Sequence, residues 1–373
     1  MAIYLAIEAL LLVAIYAKRN RNLLYYALLS IMILVAGFRA DTIGADMVNY
    51  IPTYQDYQTA TWGQVLRDPN FSFAIYCKIL TLFGLDIRGF LIANAILFSV
   101  LLTIALNVNK CDKLLALAIF YMLGLYTQSF CIIRQSFANV VFMIAYAYID
   151  KGHIHLTIPL CNRDTGEVVR HSITISLRFL LLMVVAIGFH TATVFLLVIP
   201  CFLWIYPRKK EIEPQKFLRV GIAFLVLAFG VFQLLYTVVL SFMPHKYSDL
   251  YSDFNQSLFA NAKTAGLLFV LYMVFYVAYK MHYERLSTEE NLQMGSTITL
   301  AITLVSMSII HSTLGRMNLF TECLMAMMMS KLLQNDYRNR KSIGSLFIAF
   351  YAVYFVLYLF RDSIGVVPYK FGL

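Results

Sequence analysis

The chain has 373 residues, 61% of them hydrophobic and only 13% charged, with a mean hydropathy of +0.73. Soluble domains carry about half apolar and about a quarter charged residues, so the composition excludes a soluble globular protein and predicts an integral membrane protein. The net charge of +10 would suit nucleic acid, but the basic residues gather in short segments between apolar runs, as cytoplasmic loops do, and nucleic acid is not an expected partner.

In chain order, apolar runs of crossing length fall at 1–17, 23–38, 88–108, 114–127, 130–149, 178–189, 191–206, 217–241, 264–280, 294–311, 315–333 and 343–361. The expected fold is therefore an all-α polytopic membrane protein of about twelve transmembrane helices, a count good to about two. Residues 1–373 form one integral membrane domain. The first run precedes its basic cluster (Lys18, Arg19, Arg21), the reverse of a secretory signal, and is expected to be kept as the first span.

A thirteenth run, 71–85, is decided by the positive-inside rule. If it does not cross, Lys110, Lys113, Lys151, Arg163, Arg170, Arg178, Arg208, Lys209, Lys210, Lys280, Arg285 and Lys331 all face the cytoplasm. The run is therefore read as a re-entrant or interfacial helix, with both termini outside. Residues 39–70 and 242–263 become outer loops. Segment 150–177 carries two β-prone runs about the turn sequence "NRDTG", which predicts a cytoplasmic β-hairpin insertion near 156–176. Its His153 and His155 lack a third ligand, and six cysteines without a CxxC pair argue for neither disulfides nor metal.

This topology, set by the basic loops, carries Arg39, Asp41, Asp46, Asp68, Arg134, His190, His311, Arg316 and Arg361 to the outer surface. In the outer loop, Tyr50, Tyr54 and Tyr57 recur at i, i+4 and i+7, one face of a short helix. They suit an aromatic belt at the lipid headgroups or a platform for sugar rings. In "IIRQSFANV", Arg134, Gln135 and Asn139 interrupt an apolar span. An arginine there faces a wet cavity or a partner, and its fork suits phosphate. His190 is either a packing residue or a base at a cavity mouth. His311, Gly315 and Arg316 make a tight turn with a second arginine. Walker A, GxGxxG, HExxH and GxSxG motifs are absent, so ATP, nicotinamide and zinc chemistry are not expected and no cofactor is assigned.

"FRADTIGADMVNY" (Arg39, Gly44, Asp46, Tyr50), "IRQSFANVV" (Arg134, Gln135, Ala138), "FHTATVF" (His190) and "GRMNLF" (Arg316, Phe320) resemble, in order, the elements of the EpsG-type, Wzy-like polymerases of bacterial polysaccharides. Two departures stand out. The family's serine after the histidine is replaced by Thr191 and Thr193, and its glutamate before the third hydrophobic segment by Asp68.

The resemblance implies a metal- and nucleotide-independent polysaccharide polymerase, a membrane glycosyltransferase. It would join undecaprenyl-diphosphate-linked oligosaccharide units on the outer face of the bacterial plasma membrane, with a chain-length regulator as an admissible partner. It assigns diphosphate binding to Arg134, Arg316 and Arg39, and the catalytic base to Asp46 or His190. Sugar contacts fall to Tyr50, Tyr54, Asp68, Gln135 and His311. A flippase of lipid-linked oligosaccharide and a polysaccharide acyltransferase are the alternatives. The first would want charge toward both leaflets or an internal repeat, and the second a histidine placed for a cytoplasmic acyl donor.

Overall fold

The computed structural model describes residues 1–149, 154–161, 168–200, 213–242, 254–310, 315–338, 342–362 and 364–372. Its contacts divide into two compact units, Met1–Phe195 with Gln334–Leu373, and Leu196–Leu333.

The first unit contains helices α1 (Ala2–Ile15), α2 (Arg21–Gly37), α3 (Met47–Thr59), α4 (Trp62–Arg67), α5 (Phe71–Leu82), α6 (Ile87–Val108), α7 (Lys113–Met122), α8 (Leu125–Gln128), α9 (Ile133–Tyr146) and α10 (Leu177–Phe189). Strands β1 (Ile154–Cys161) and β2 (Val168–Ile175) pair antiparallel between α9 and α10, with Ile154 opposite Ile175 and Cys161 opposite Val168. The turn sequence "NRDTG" and His153 lie outside the described residues.

At the centre stands α7, buried on every side from Leu114 to Leu123, and α9, buried along its length except at Arg134. A helix apolar all round belongs in a core. The outer helices instead expose apolar stripes, such as Ile96, Val100 and Ile104 one turn apart on α6, and Leu177, Leu181 and Val184 on α10. Apolar surface turned outward along whole helices is what contact with lipid tails requires.

Unit 1 has two chemically distinct ends. At one, Arg21 pairs with Asp112 at 2.7 Å, Asn109 donates to the Met143 carbonyl at 2.7 Å, and Arg178 lies over the Tyr148 ring at 5.7 Å. At the other, Arg88 of α6 donates to the Arg39 carbonyl at 2.6 Å, just beyond the far end of α2. The final helix of the chain, Ser342–Arg361, leads to a tail that straps this second end. Ala45 N–H donates to the Ile364 carbonyl at 2.9 Å, Ala40 N–H to that of Lys370 at 2.8 Å, and Gly372 N–H to that of Phe38 at 3.0 Å. Tyr4 and Tyr369 pin the tail from beneath, their hydroxyls donating to the carbonyls of Val366 and Val35.

Unit 2 holds α11 (Pro214–Phe242), α12 (Phe254–His282), α13 (Thr288–Ile310) and, as far as Leu333, α14 (Asn318–Arg338). The Ser342–Arg361 helix is thus α15. Within unit 2, Gly295 lets Phe217 pack against α13, and Thr299 ties the two by donating to the Phe217 carbonyl at 3.1 Å.

Three helices among the described residues are long and apolar enough to cross a membrane: Ile87–Val108, Ala262–Arg285 and Ser342–Arg361. Shorter apolar helices accompany them. Run 130–149 holds the single helix α9, whereas the expected span 114–127 is broken into α7 and α8. The break falls at Gly124, with φ of +76°, where a Cβ would lie 2.7 Å from the Tyr358 ring. Run 71–85 yields α5, twelve residues long, which reaches about 18 Å against a hydrocarbon core of about 30 Å.

Candidate functional site

At the strapped end of unit 1, the backbone turns at Gly44 (φ +105°), where a Cβ would meet the Phe130 carbonyl oxygen at 2.6 Å. The turn delivers Asp46 to the N-cap of α3, its carbonyl accepting from Asn49 and Tyr50 at 3.0 and 3.1 Å. Its side chain is half-buried and lies close enough to act on the Tyr50 phenol.

Tyr50 is buried. Its hydroxyl accepts from the backbone N–H of Arg134 at 3.2 Å, and its ring meets Phe73 edge-on at 5.8 Å. Burial raises its pKa, opposed by the Arg134 charge, so the phenol stays protonated at neutral pH with its own proton available to donate. Arg134, at the first turn of α9, is half-buried and holds its guanidinium 5.5 Å from the Tyr50 ring centre and 6.0 Å from that of Phe73. Among the described residues no carboxylate lies within ion-pair distance of it. Its side chain also hydrogen-bonds the Tyr50 phenol, and a planar guanidinium has further N–H donors in its fork that suit an anion.

Asp68 stands at the end of α4. One oxygen accepts from the Tyr57 hydroxyl at 2.8 Å and the other from Asn70 N–H at 2.7 Å. Burial and the Asp68 carboxylate both raise the Tyr57 phenol, while Arg134 opposes them. Lys78 of α5 is buried and donates to the carbonyls of Tyr57 and Gln58 at 3.1 and 3.0 Å. A cation there satisfies the last carbonyls of α3 and fixes that helix on α5.

His190 is the C-cap residue of α10 and half-buried, its carbonyl accepting from Thr193 N–H at 3.0 Å. The preceding Phe189 packs on Phe137 at 5.3 Å, and a Cβ at Gly188 would collide with Ser72 and Phe71, so this end of α10 sits beside the start of α5. Gln135 is buried in α9.

Unit 1 thus gathers Asp46, Tyr50, Asp68 and Arg134 around α3, α5 and α9, with His190 on the adjoining helix end. Two residues of the sequence reading sit elsewhere. Tyr54 is fully buried, stacked on Phe90 at 4.5 Å and donating to the Leu85 carbonyl at 2.7 Å, so neither its face nor its tip is offered to a ligand. Arg39 is 2% exposed; its guanidinium lies 4.6 Å from the Phe130 ring centre and donates to the carbonyls of Ala36 and Phe130. Burial lowers its pKa to about 10.

In unit 2, Arg316 is exposed on the turn before α14. That turn is held by Asn318, whose amide donates to Ser308 Oγ at 2.7 Å and to the Gly315 carbonyl at 3.0 Å. His311 lies outside the described residues.

Tyr57, read from the sequence as part of an aromatic face, instead orients Asp68, and Lys78, which no motif marked, anchors the end of α3. A lone lysine inside run 71–85 was the available signal. Glu8 and Glu322, buried acids in apolar helices, were equally visible. No three His, Cys, Asp or Glu side chains gather as metal ligands among the described residues.

Apolar helices that turn their side chains outward, around a cluster of polar and aromatic residues at one end of unit 1, define the class as a helical membrane protein. Residues 22–158 and 175–371 match the model of the EpsG family, and the chain belongs to that family. Membership supports a polysaccharide polymerase type of role in exopolysaccharide biosynthesis. No curated protein and no solved structure matches the chain.

Proposed function

We propose that the protein polymerises oligosaccharide repeat units carried on undecaprenyl diphosphate, with its site on the outer face of the bacterial plasma membrane. The observation that carries this reading is Arg134, held between Tyr50 and Phe73 with its fork uncommitted to any described carboxylate.

In the proposed step, the acceptor hydroxyl oxygen bonds to the donor's anomeric carbon and its proton passes to Asp46. The bond from that carbon to the diphosphate oxygen breaks, and the lipid diphosphate leaves with the electron pair. Arg134, with the Tyr50 hydroxyl beside it, stabilises the negative charge that develops on the leaving group. The diphosphate bond supplies the driving force, so the step needs no nucleotide. His190 is the competing base. Asp68, oriented by Tyr57 and Asn70, and Gln135 are assigned to the sugars. Tyr54 and Arg39 are reassigned to supporting the α3 helix and the 38–46 loop. Arg316 keeps its diphosphate role as a separate proposal with its own substitution.

The test is chain growth by purified protein on a defined lipid-diphosphate oligosaccharide. Arg134→Ala is expected to lower the rate by about a hundredfold or more, and wild-type chain lengths from that variant would refute the assignment. Asp46→Asn is expected to bind donor without turnover; unchanged turnover would transfer the base to His190.

A further inference from the structure

Under the 38–46 loop, unit 1 holds a partly open cavity of about 20 Å³ among α2, α6, α8 and α9, whose lining includes Arg39, Asn94, Ser99, Ser136 and Phe130. Its two strongest polar groups are only 2% and 5% exposed, for Arg39 and Asn94 respectively. Arg39 directs Nη1 to the Ala36 carbonyl and Nη2 to the Phe130 carbonyl and Met47 Sδ, which leaves Nε–H with no protein partner. Neither amide atom of Asn94 has one.

Charge is unbalanced at the same place. No carboxylate lies within ion-pair distance of Arg39 among the described residues. The phenols of Tyr126, Tyr4 and Tyr369 surround it, and Arg88 adds a like charge. A buried cation is costly unless a counter-charge accompanies it.

We propose that this cavity is a binding site for one small inorganic anion of halide size, held by Arg39 Nε–H and Asn94 Nδ2–H, with the Ser99 and Ser136 hydroxyls able to rotate toward it. Volume sets the class. One water-sized probe sphere needs about 10–15 Å³, so a space of about 20 Å³ accepts a monatomic ion and excludes phosphate, a carboxylic acid or a sugar. Lining residues from four helices make the bound ion a tie that holds the loop bearing Asp46 to the helix ends. The inference is independent of the sugar substrate and of the catalytic assignments.

Thermal unfolding of the full chain in detergent tests it, in chloride or bromide against gluconate, an anion too large for the cavity, at equal ionic strength. The wild type should gain stability in halide. Above the dissociation constant, each tenfold rise in halide should shift the folding equilibrium about tenfold. Asn94→Asp places a fixed carboxylate beside Arg39, so its stability should be independent of halide. Asn94→Leu should remove the dependence by replacing the amide donor with a methyl group in the same position. Equal stability of the wild type in chloride and gluconate would overturn the proposal, because the cavity would then hold water only. So would a halide response undiminished in Asn94→Asp, which would place the effect elsewhere on the protein.

Discussion

Arg39 and Arg134 look alike in sequence, each an arginine beside an apolar run, and the fold separates them. Arg39 is closed over by the chain's own tail and gives its two Nη groups to the Ala36 and Phe130 carbonyls, with Nε–H left toward the cavity proposed above. Arg134 rests on two aromatic rings with its fork uncommitted to any described carboxylate. Arg134→Lys should therefore recover little activity, because a point charge cannot reproduce the bidentate fork; rates within threefold of wild type would count against phosphate binding. Tyr54 makes a prediction of the opposite kind. Burial pushes its phenol up to about 12, so the folded state favours the neutral form. Its contribution is complete below the ordinary tyrosine pKa near 10 and is lost as pH rises through about 12. Tyr54→Phe should cost about 1 kcal/mol at pH 8 through the lost bond to Leu85. It should also show a smaller fall in melting temperature between pH 8 and pH 11 than the wild type, read by thermal unfolding at both values.

The elements that matter for function are short and tied at both ends. Helix α3 begins at Asp46 through a turn that only glycine makes comfortably, and it ends under Lys78. Gly44→Ala combines positive φ with a Cβ driven into the Phe130 carbonyl, so a loss of about 1–3 kcal/mol is expected, with reduced polymerisation because Asp46 moves with the turn. The tail acts at the same point. Truncation after residue 363 removes the backbone bonds from Ala40, Gly44 and Ala45, and should leave a folded helical protein with little turnover. Circular dichroism and the polymerisation assay, read together, separate that outcome from simple unfolding. The i, i+4, i+7 tyrosines were legible as one helical face. Which of them packs was not, because that depends on Phe90 of α6, nearly forty residues away.

At the scale of the whole molecule, the family match passes over residues 159–174, which include the last three residues of β1 and all of β2 but Ile175. Replacement of residues 155–174 by a short Gly/Ser linker is expected to preserve chain growth and monodispersity in detergent, since the hairpin stands at the end of unit 1 opposite Asp46 and Arg134. Loss of turnover in a folded variant would give the insertion a part in catalysis. Composition and apolar runs alone determined that this is a helical membrane protein, because burying backbone in lipid demands helices whatever the tertiary contacts. Ordered motifs likewise sufficed for the family, and the β-prone runs about "NRDTG" marked the position of the hairpin. Helix breaks were decided by packing, as at Gly124 against Tyr358, which a hydropathy profile cannot register. The site was also decided in three dimensions. The tail returns from residue 364 to cover Arg39, and Tyr57 reaches Asp68 while Tyr50 meets Arg134. Such pairings depend on side-chain geometry across distant segments, whereas hydropathy records only how each segment partitions between water and lipid.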